Sequence, residues 1–388
     1  MKYLANVRLR IEKDVVTRIK RSLKGKGKIA VKLGQEVTPS DIIGTAQVAS
    51  GFRILNISDL LSISPNQVGN FLKKQIGQRL YKGELLAYKK EGIFSGKKIV
   101  TSPTDGILDF LNPKTGEIRL TFLPRKVDLP SGVYGIVEYI NSDHGYIIIK
   151  TQASKIFGVF GSGRSRDGNL LLIGRREGLM GGSDIASKFE GHILVCGSLI
   201  FKDGISEAIS CNINGIITGG INAQDFRGMS GGHLNFPKRL ENDIGISVVV
   251  TEGFGSIPIG EDIYQLLSIF DGKYVSLDGN KAIITLPSFE SKSMTQVRNI
   301  KLPQILEDTQ NTKEQDYKTT VGELRVGVFV RVIGNTFAGN IGRILAIDQT
   351  ESLLPSGVRS NFITVETKRR KIQVPVANVE IMDYSFTS

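Results

Sequence analysis

Residues able to carry chemistry are few in this chain, and most of them sit beside glycine. Gly158-Val159-Phe160-Gly161-Ser162-Gly163-Arg164-Ser165-Arg166-Asp167-Gly168 sets two arginines in a glycine loop, whose free amides can cradle a phosphate. No Gly-Lys-Ser/Thr follows, so a glycine-rich hairpin between β elements is the simpler reading. Gly178-Leu179-Met180-Gly181-Gly182-Ser183-Asp184 is a weaker case of the same kind. Thr218-Gly219-Gly220 and Thr251-Glu252-Gly253 each end an apolar run, and Asp225 follows the first. Ligands in open α/β sheets lie at the carboxyl ends of strands, so these residues could line a cleft for a phosphate or nucleotide. Glu252 would be the general base of any reaction there. The alternative is that the glycines shape turns and Glu252 caps a helix. His144, His192 and His233 are far apart without metal-ligand spacing, and Cys196 and Cys211 lie in or beside apolar segments. No metal and no cofactor is expected. No nucleophile–base pair stands out, so catalytic residues stay unassigned and the reading is a non-enzymatic protein.

Charge is the stronger signal. The net +12 is concentrated at the start: residues 1–30 hold ten Lys/Arg against two acids. Arg18, Lys20, Arg21, Lys24, Lys26 and Lys28 form its densest part. Cations that neutralise phosphates release counterions, which gives salt-sensitive affinity for polyanions. The competing reading is a solvated face, because Val7, Leu9 and Ile11 alternate as a half-buried strand would. A second cluster, Lys368-Arg369-Arg370-Lys371, falls between two strand patterns, where a hairpin tip could clamp phosphates or simply be a solvated turn that keeps the edge from aggregating.

These groups must be positioned by a β-rich chain. Its 388 residues exceed one typical domain, and 40% hydrophobic content with 23% charged residues is enough for packed cores. There are 44 glycines and no tryptophan. An internal echo marks residues 29–120. Gly34-Gln35-Glu36-Val37-Thr38-Pro39-Ser40-Asp41-Ile42-Ile43-Gly44 returns 43 positions later as Gly77-Gln78-Arg79-Leu80-Tyr81-Lys82-Gly83-Glu84-Leu85-Leu86-Ala87. Each copy reads as strand, tight turn, strand, with the acid satisfying turn amides. Ile99 to Phe110 adds a strand, a Pro-Thr-Asp-Gly turn and another strand, and Ser64-Pro65 opens a short helix between the copies. This pattern resembles the lipoyl/biotinyl-like barrel-sandwich hybrid. The stretch Tyr88–Lys98, where carrier members present their modified lysine, has no such motif, so biotinylation or lipoylation is not expected. Residues 133–149 follow as a hairpin, with His144 in its loop.

From residue 190 the pattern changes. Short apolar strands near 193–196, 215–221 and 245–251 alternate with helices at 203–210 and 259–270, which predicts a small α/β module with parallel strands. Residues 301–322 are polar and aperiodic and read as a linker. Val328-Phe329-Val330-Arg331-Val332-Ile333-Gly334, then Gly339-Asn340-Ile341-Gly342-Arg343-Ile344, then strands at 362–366, 371–375 and 376–381, resemble a KOW module, an SH3-like barrel. That resemblance implies contact with RNA or a ribonucleoprotein, through Arg331, Arg343 and Phe337 at the loop tip.

The expected organisation is a multi-domain, β-rich α+β chain. It has a basic segment (1–28), a barrel-sandwich-like domain (29–150), a glycine-rich connection (151–189), an α/β module (190–290), a linker (301–322) and a KOW-like SH3 barrel (323–388). No apolar window approaches the 18 residues of a membrane helix, and two cysteines without a leader at Met1 suggest a cytoplasmic setting. The function expected is binding of RNA, DNA or a ribonucleoprotein by electrostatic positioning, since aromatics are only 7% and no reader helix is visible. A small-ligand enzyme or sensor built on the α/β module, and a scaffold that engages protein partners, are the alternatives.

Overall fold

The computed structural model describes residues 2–23, 25–48, 51–90, 97–123, 125–229, 239–240, 244–303, 320–334, 337–354 and 356–382. The chain is β-rich and carries several separate hydrophobic cores. No helix among the described residues is long and apolar enough to cross a membrane.

The α/β module forms as its strand–helix alternation predicts. Ser165–Leu172, Ile193–Val195, Gly215–Ile221 and Ser247–Phe254 run parallel in that order. Phe160–Ser162 adds an antiparallel strand beyond the last. Gly215–Ile221 is buried throughout because both faces are covered, the usual fate of a parallel strand. Helices Lys202–Ser210 and Ala223–Met229 set Ile205, Ala208 and Phe226 against Leu194, Ile216 and Val248. On the opposite face, helix Glu261–Ile269 sets Ile263 and Leu267 against Val195, Ile217 and Val249. Antiparallel strands Tyr274–Asp278 and Ile283–Pro287 then carry the sheet to the long strand Tyr146–Phe157.

The glycine loop at 158–168 belongs to this sheet. A Cβ at Gly161, Gly163 or Gly168 would collide with the carbonyl oxygens of Val248, Ile246 and Gly191 respectively. These glycines admit neighbouring backbone, and no phosphate cradle is formed.

The repeat at residues 34 and 77 is a repeat of hydrogen bonds as well as of letters. Gly34 and Gly77 take φ of +79° and +91°, the left-handed region that glycine enters at no steric cost. Gln35 accepts from the Lys32 amide at 3.0 Å, and Gln78 from the Gln75 amide at 2.9 Å. Asp41 accepts from the Thr38 amide at 2.7 Å, and Glu84 from the Tyr81 amide at 2.9 Å. The return segments match too, since Ser131 and Ser102 donate their amides to the carbonyls of Asp41 and Glu84, both at 2.8 Å.

The two copies enter different cores, which corrects the single domain expected over 29–150. Val37 and Ile43 pack with Ile19, Val133 and Ile149, whereas Leu80 and Leu86 pack with Ile57, Leu61, Leu108 and Leu120. The second copy is nested inside the first. Strands Ile42–Val48 and Arg125–Pro130 pair antiparallel as a stalk, and the chain between them builds its own four-stranded sheet. In that sheet Phe52–Asn56, Glu117–Phe122, Gly106–Leu111 and Arg79–Leu80 lie side by side.

The first 28 residues are not a separate basic segment. Leu4–Arg8 pairs antiparallel with Thr320–Glu323 and parallel with Val379–Met382, so it is a strand of the C-terminal sheet. Ile11–Ser22 then crosses to the central sheet and pairs along Tyr146–Phe157. Of the expected linker, residues 304–319 lie outside the described residues, and its end is the strand Thr320–Glu323. Of the remaining C-terminal strands, Phe329–Val332, Ile341–Ile347, Phe362–Thr367 and Lys371–Pro375 fall where the spacing places them, whereas the last, expected over 376–381, begins at Val379 because Val376–Asn378 form a 3-10 turn. Their inward side chains, among them Val330, Ile344, Val365 and Val374, close a core that also takes Ala5 from the N-terminal strand.

Candidate nucleic-acid interface

The basic stretch at 368–371 is a hairpin tip. Phe362–Thr367 and Lys371–Pro375 pair antiparallel, and Thr367 organises the turn. Its hydroxyl donates to the Arg370 carbonyl at 2.7 Å and accepts from the amides of Arg369 and Arg370 at 3.4 and 3.2 Å. Lys368, Arg369, Arg370 and Lys371 are all exposed. Behind the tip, cross-strand pairing aligns Phe329, Arg343, Glu366 and Lys371 in one row. Glu366 is the single acid of this group, flanked by Arg343 and Lys371. The Arg343 guanidinium lies 5.2 Å from the Phe329 ring. Phe337 is partly buried against the C-terminal core, and the Arg370 guanidinium sits 4.8 Å from its ring centre. Phe337 thus supports Arg370 and does not offer an open face for a base.

The cations of the N-terminal run divide between interior and surface. Arg18 donates to Glu138 and to the Pro303 carbonyl, both at 2.6 Å. Arg21 is 3% exposed, ion-paired with Asp167, and donates to the Tyr274 hydroxyl at 2.6 Å and the Pro130 carbonyl at 2.7 Å. Strand alternation turns Arg21 inward with Ile19 and closes it to a polyanion, whereas Arg18 lies on the other side, partly exposed and held by its two partners. Lys20 points outward, its ammonium 3.9 Å from the Tyr146 ring centre. Lys24 lies outside the described residues. Lys26 and Lys28 are exposed on the stalk, where Lys26 and Lys126 both pair with Gln47. Lys126 belongs to this basic surface and was not singled out from the sequence. Its only signal is the register of a strand far along the chain.

Arg331 is the clearest correction, being 0% exposed and held inside an ion network. Its Nη2 and Nη1 reach the two Glu252 oxygens at 2.8 and 3.1 Å, and Nε and Nη2 reach Asp262 at 2.8 and 2.9 Å. Glu380 lies 3.4 Å from Nη1 and also takes Nε of Arg10 at 2.7 Å. Arg10 Nη1 donates to the Thr251 carbonyl at 2.7 Å. Burial works against the Arg331 charge, but Asp262 and Glu252 overcome it and hold the guanidinium well above the usual arginine range. The network joins the N-terminal crossing, the α/β module and the C-terminal sheet. Next to it the backbone at Gly339 lies against Gly260 and Glu261, and Ala338 accepts from the Glu261 amide at 3.0 Å. The loop expected to meet RNA therefore docks on the chain's own helix.

The same network removes Glu252 as a general base, since both its oxygens bind Arg331 and one also accepts from the Gly260 amide at 2.9 Å. The proposed cleft is filled by the chain itself. Gly219 and Gly220 sit against the backbone of Ile257 and Gly255, leaving no room for a Cβ. Thr218 and Thr251 are buried, with hydroxyls donated to the carbonyls of Gly220 at 2.9 Å and Thr218 at 3.2 Å. Gly253 lies near the end of its strand beside Ile257, and Asp225 stands in the first turn of helix Ala223–Met229. These residues share a region but surround no open site. Among the described residues no group of three or more His, Cys, Asp or Glu could hold a metal ion. Cys196 is fully buried, and burial pushes its thiol far up, away from reactivity. His233 lies outside the described residues. Lys89, in the stretch where the resemblance would lead one to expect a carrier hairpin, donates to the Leu61 and Ser62 carbonyls at 3.2 and 3.1 Å and so caps the helix Ile57–Leu61.

No protein-family model matches this chain at a significant level, and neither a curated protein nor a solved structure does.

Proposed function

We propose that this chain is a non-enzymatic binding protein that contacts RNA, DNA or a ribonucleoprotein through its C-terminal KOW-like module. One observation carries the reading. The hairpin tip at 368–371 exposes four successive cations, while arginines elsewhere in the predicted surface, Arg21 and Arg331, are consumed by internal carboxylates. A basic cluster left at a tip is free to meet phosphates. Lys26, Lys28 and Lys126 on the stalk supply further positive charge. Recognition is by charge and shape, because the exposed cations of this surface, at 368–371 and at Lys26, Lys28 and Lys126, sit on strands and turns. Two free cysteines and a charged surface suit a cytoplasmic setting.

The test is fluorescence anisotropy of the full chain with labelled RNA and DNA across salt concentration. The variant K368Q/R369Q/R370Q should weaken binding and lower the slope of log K against log salt by about 2–3, at roughly 0.7–0.9 per phosphate contact. Unchanged affinity and slope would remove the hairpin from the interface.

A further inference from the structure

The nested module presents a sheet face that neither the hairpin nor the stalk uses. Its four strands bury Leu108, Ile118 and Leu120 on one side. Alternation then forces their neighbours outward. Register places Phe52, Thr121, Ile107 and Arg79 in one cross-strand row. Ile54, Arg119 and Phe110 form the next row, aligned by a bulge between Leu108 and Phe110. Phe52, Ile54 and Phe110 are 57%, 54% and 47% exposed, although burial of such side chains is the rule. Arg119 stands between the two rings, its guanidinium 5.7 Å from the centre of Phe52 and 5.6 Å from that of Phe110. Asp109 fixes it there, accepting from Arg119 Nε at 2.7 Å and from the Thr121 hydroxyl at 2.9 Å.

We infer that this face is a stacking platform for a single-stranded nucleic acid, with bases on Phe52 and Phe110 and phosphates at Arg79 and Arg119. The inference deepens the function proposed above and rests on it. Charge selects the occupant. Residues 52–122 carry 11 Lys/Arg and 6 Asp/Glu, and on the face itself Arg119 interrupts the apolar side chains while Arg79 ends its row. A dry protein contact would leave the two arginines desolvated, whereas a strand of alternating rings and phosphates pairs with both kinds of side chain. The platform is also continuous with the stalk cations. Phe122 ends the platform strand, and Lys126 follows after no more than about 14 Å of extended chain.

The experiment uses the full chain and fluorescein-labelled oligouridine and oligothymidine of roughly twenty nucleotides, a length that spans several bases beyond one binding module. A duplex of the same length is the third probe. F52A/F110A should weaken binding to the single strands by about tenfold or more, with the salt slope unchanged, since stacking releases no counterions. R79Q/R119Q should lower the slope. The thermal midpoint of F52A/F110A should match wild type because both rings are exposed, which separates lost binding from lost folding. Single-strand affinity equal to wild type in F52A/F110A, or wild-type preference for the duplex, would overturn the platform. If F52A/F110A binds normally while K368Q/R369Q/R370Q is weakened, the platform falls and the basic hairpin stands. If the hairpin variant is normal and F52A/F110A is weakened, the platform stands alone. Tighter binding of either oligouridine or oligothymidine by the rings supports the platform and assigns the strand it takes.

Discussion

Replacing Arg331 with leucine should destabilise the chain more than removing any surface cation. The substitution takes away the partner of Glu252 and Asp262 and leaves Glu380 to Arg10 alone. Removing one member of a buried ion pair costs about 3–5 kcal/mol, because the remaining charge keeps its desolvation penalty without compensation. With a urea slope of about 2–3 kcal/mol per molar, the unfolding midpoint should fall by about 1–2.5 M. The assay is urea unfolding followed by far-ultraviolet circular dichroism. The pH dependence supplies a second, independent check. In the native chain the Arg331 charge is held well above the ordinary arginine range, so its contribution is present at every pH below that range and is flat from pH 4 to 9. The deficit of Arg331→Leu should therefore hold steady across that range. Neutralising the orphaned groups, in Arg331→Met with Glu252→Gln and Asp262→Asn, should recover much of the loss at pH 7. A deficit below about 1 kcal/mol for Arg331→Leu would refute the claim that this network joins the modules.

Deleting residues 2–8 removes the strand between Thr320–Glu323 and Val379–Met382, so hydrogen exchange should lose protection in the C-terminal sheet while the parallel strands near residues 193–254 keep theirs. Gly220→Ala would set a methyl against the Gly255 backbone and should cost at least about 1–3 kcal/mol, read as a lowered thermal midpoint. Tyr274 is partly buried beside Arg21, and loss of solvent pushes its hydroxyl above the usual tyrosine range against the pull of the arginine. Its raised folded value means the stabilising contribution is present below about pH 10 and is lost as pH rises further, so Tyr274→Phe should flatten the alkaline fall in stability.

The α/β module and the C-terminal strands were legible because their signals are local. Apolar runs separated by helical spacing named the parallel strands, and Lys371–Pro375 sits where the pattern puts it. The candidate site was less legible because charge in a sequence does not reveal its side of a strand. Arg331 and Arg343 both look like barrel cations. Alternation within Phe329–Val332 puts Phe329 and Arg331 on one face, opposite Val330 and Val332, and Arg343 shares that face; Glu252 and Asp262 of the α/β module cover it at Arg331 and leave it open at Phe329 and Arg343. Glu380, which receives both Arg10 and Arg331, is separated from Arg10 by almost the whole chain. Only tertiary pairing could bring them together.

The repeat shows the same division between local and distant information. Its letters encode the turn fully: glycine for the left-handed residue, glutamine and acid for the exposed amides, paired apolar residues for the core. They do not encode which return segment each copy meets. The first copy closes with Ser131 and Gly135 and the second with Ser102 and Gly106, so the later copy closes first. That order is what nesting requires. A unit inserted between Val48 and Arg125 must complete its own pairing before the outer unit can resume. Two like motifs in a row suggest two halves of one sandwich. Two like motifs whose partners return in reverse order are two units, one carried by the other on a two-stranded stalk. The arrangement holds the four-stranded face away from the outer unit's core, which is why Phe52, Ile54 and Phe110 stay exposed on a sheet that is otherwise well packed.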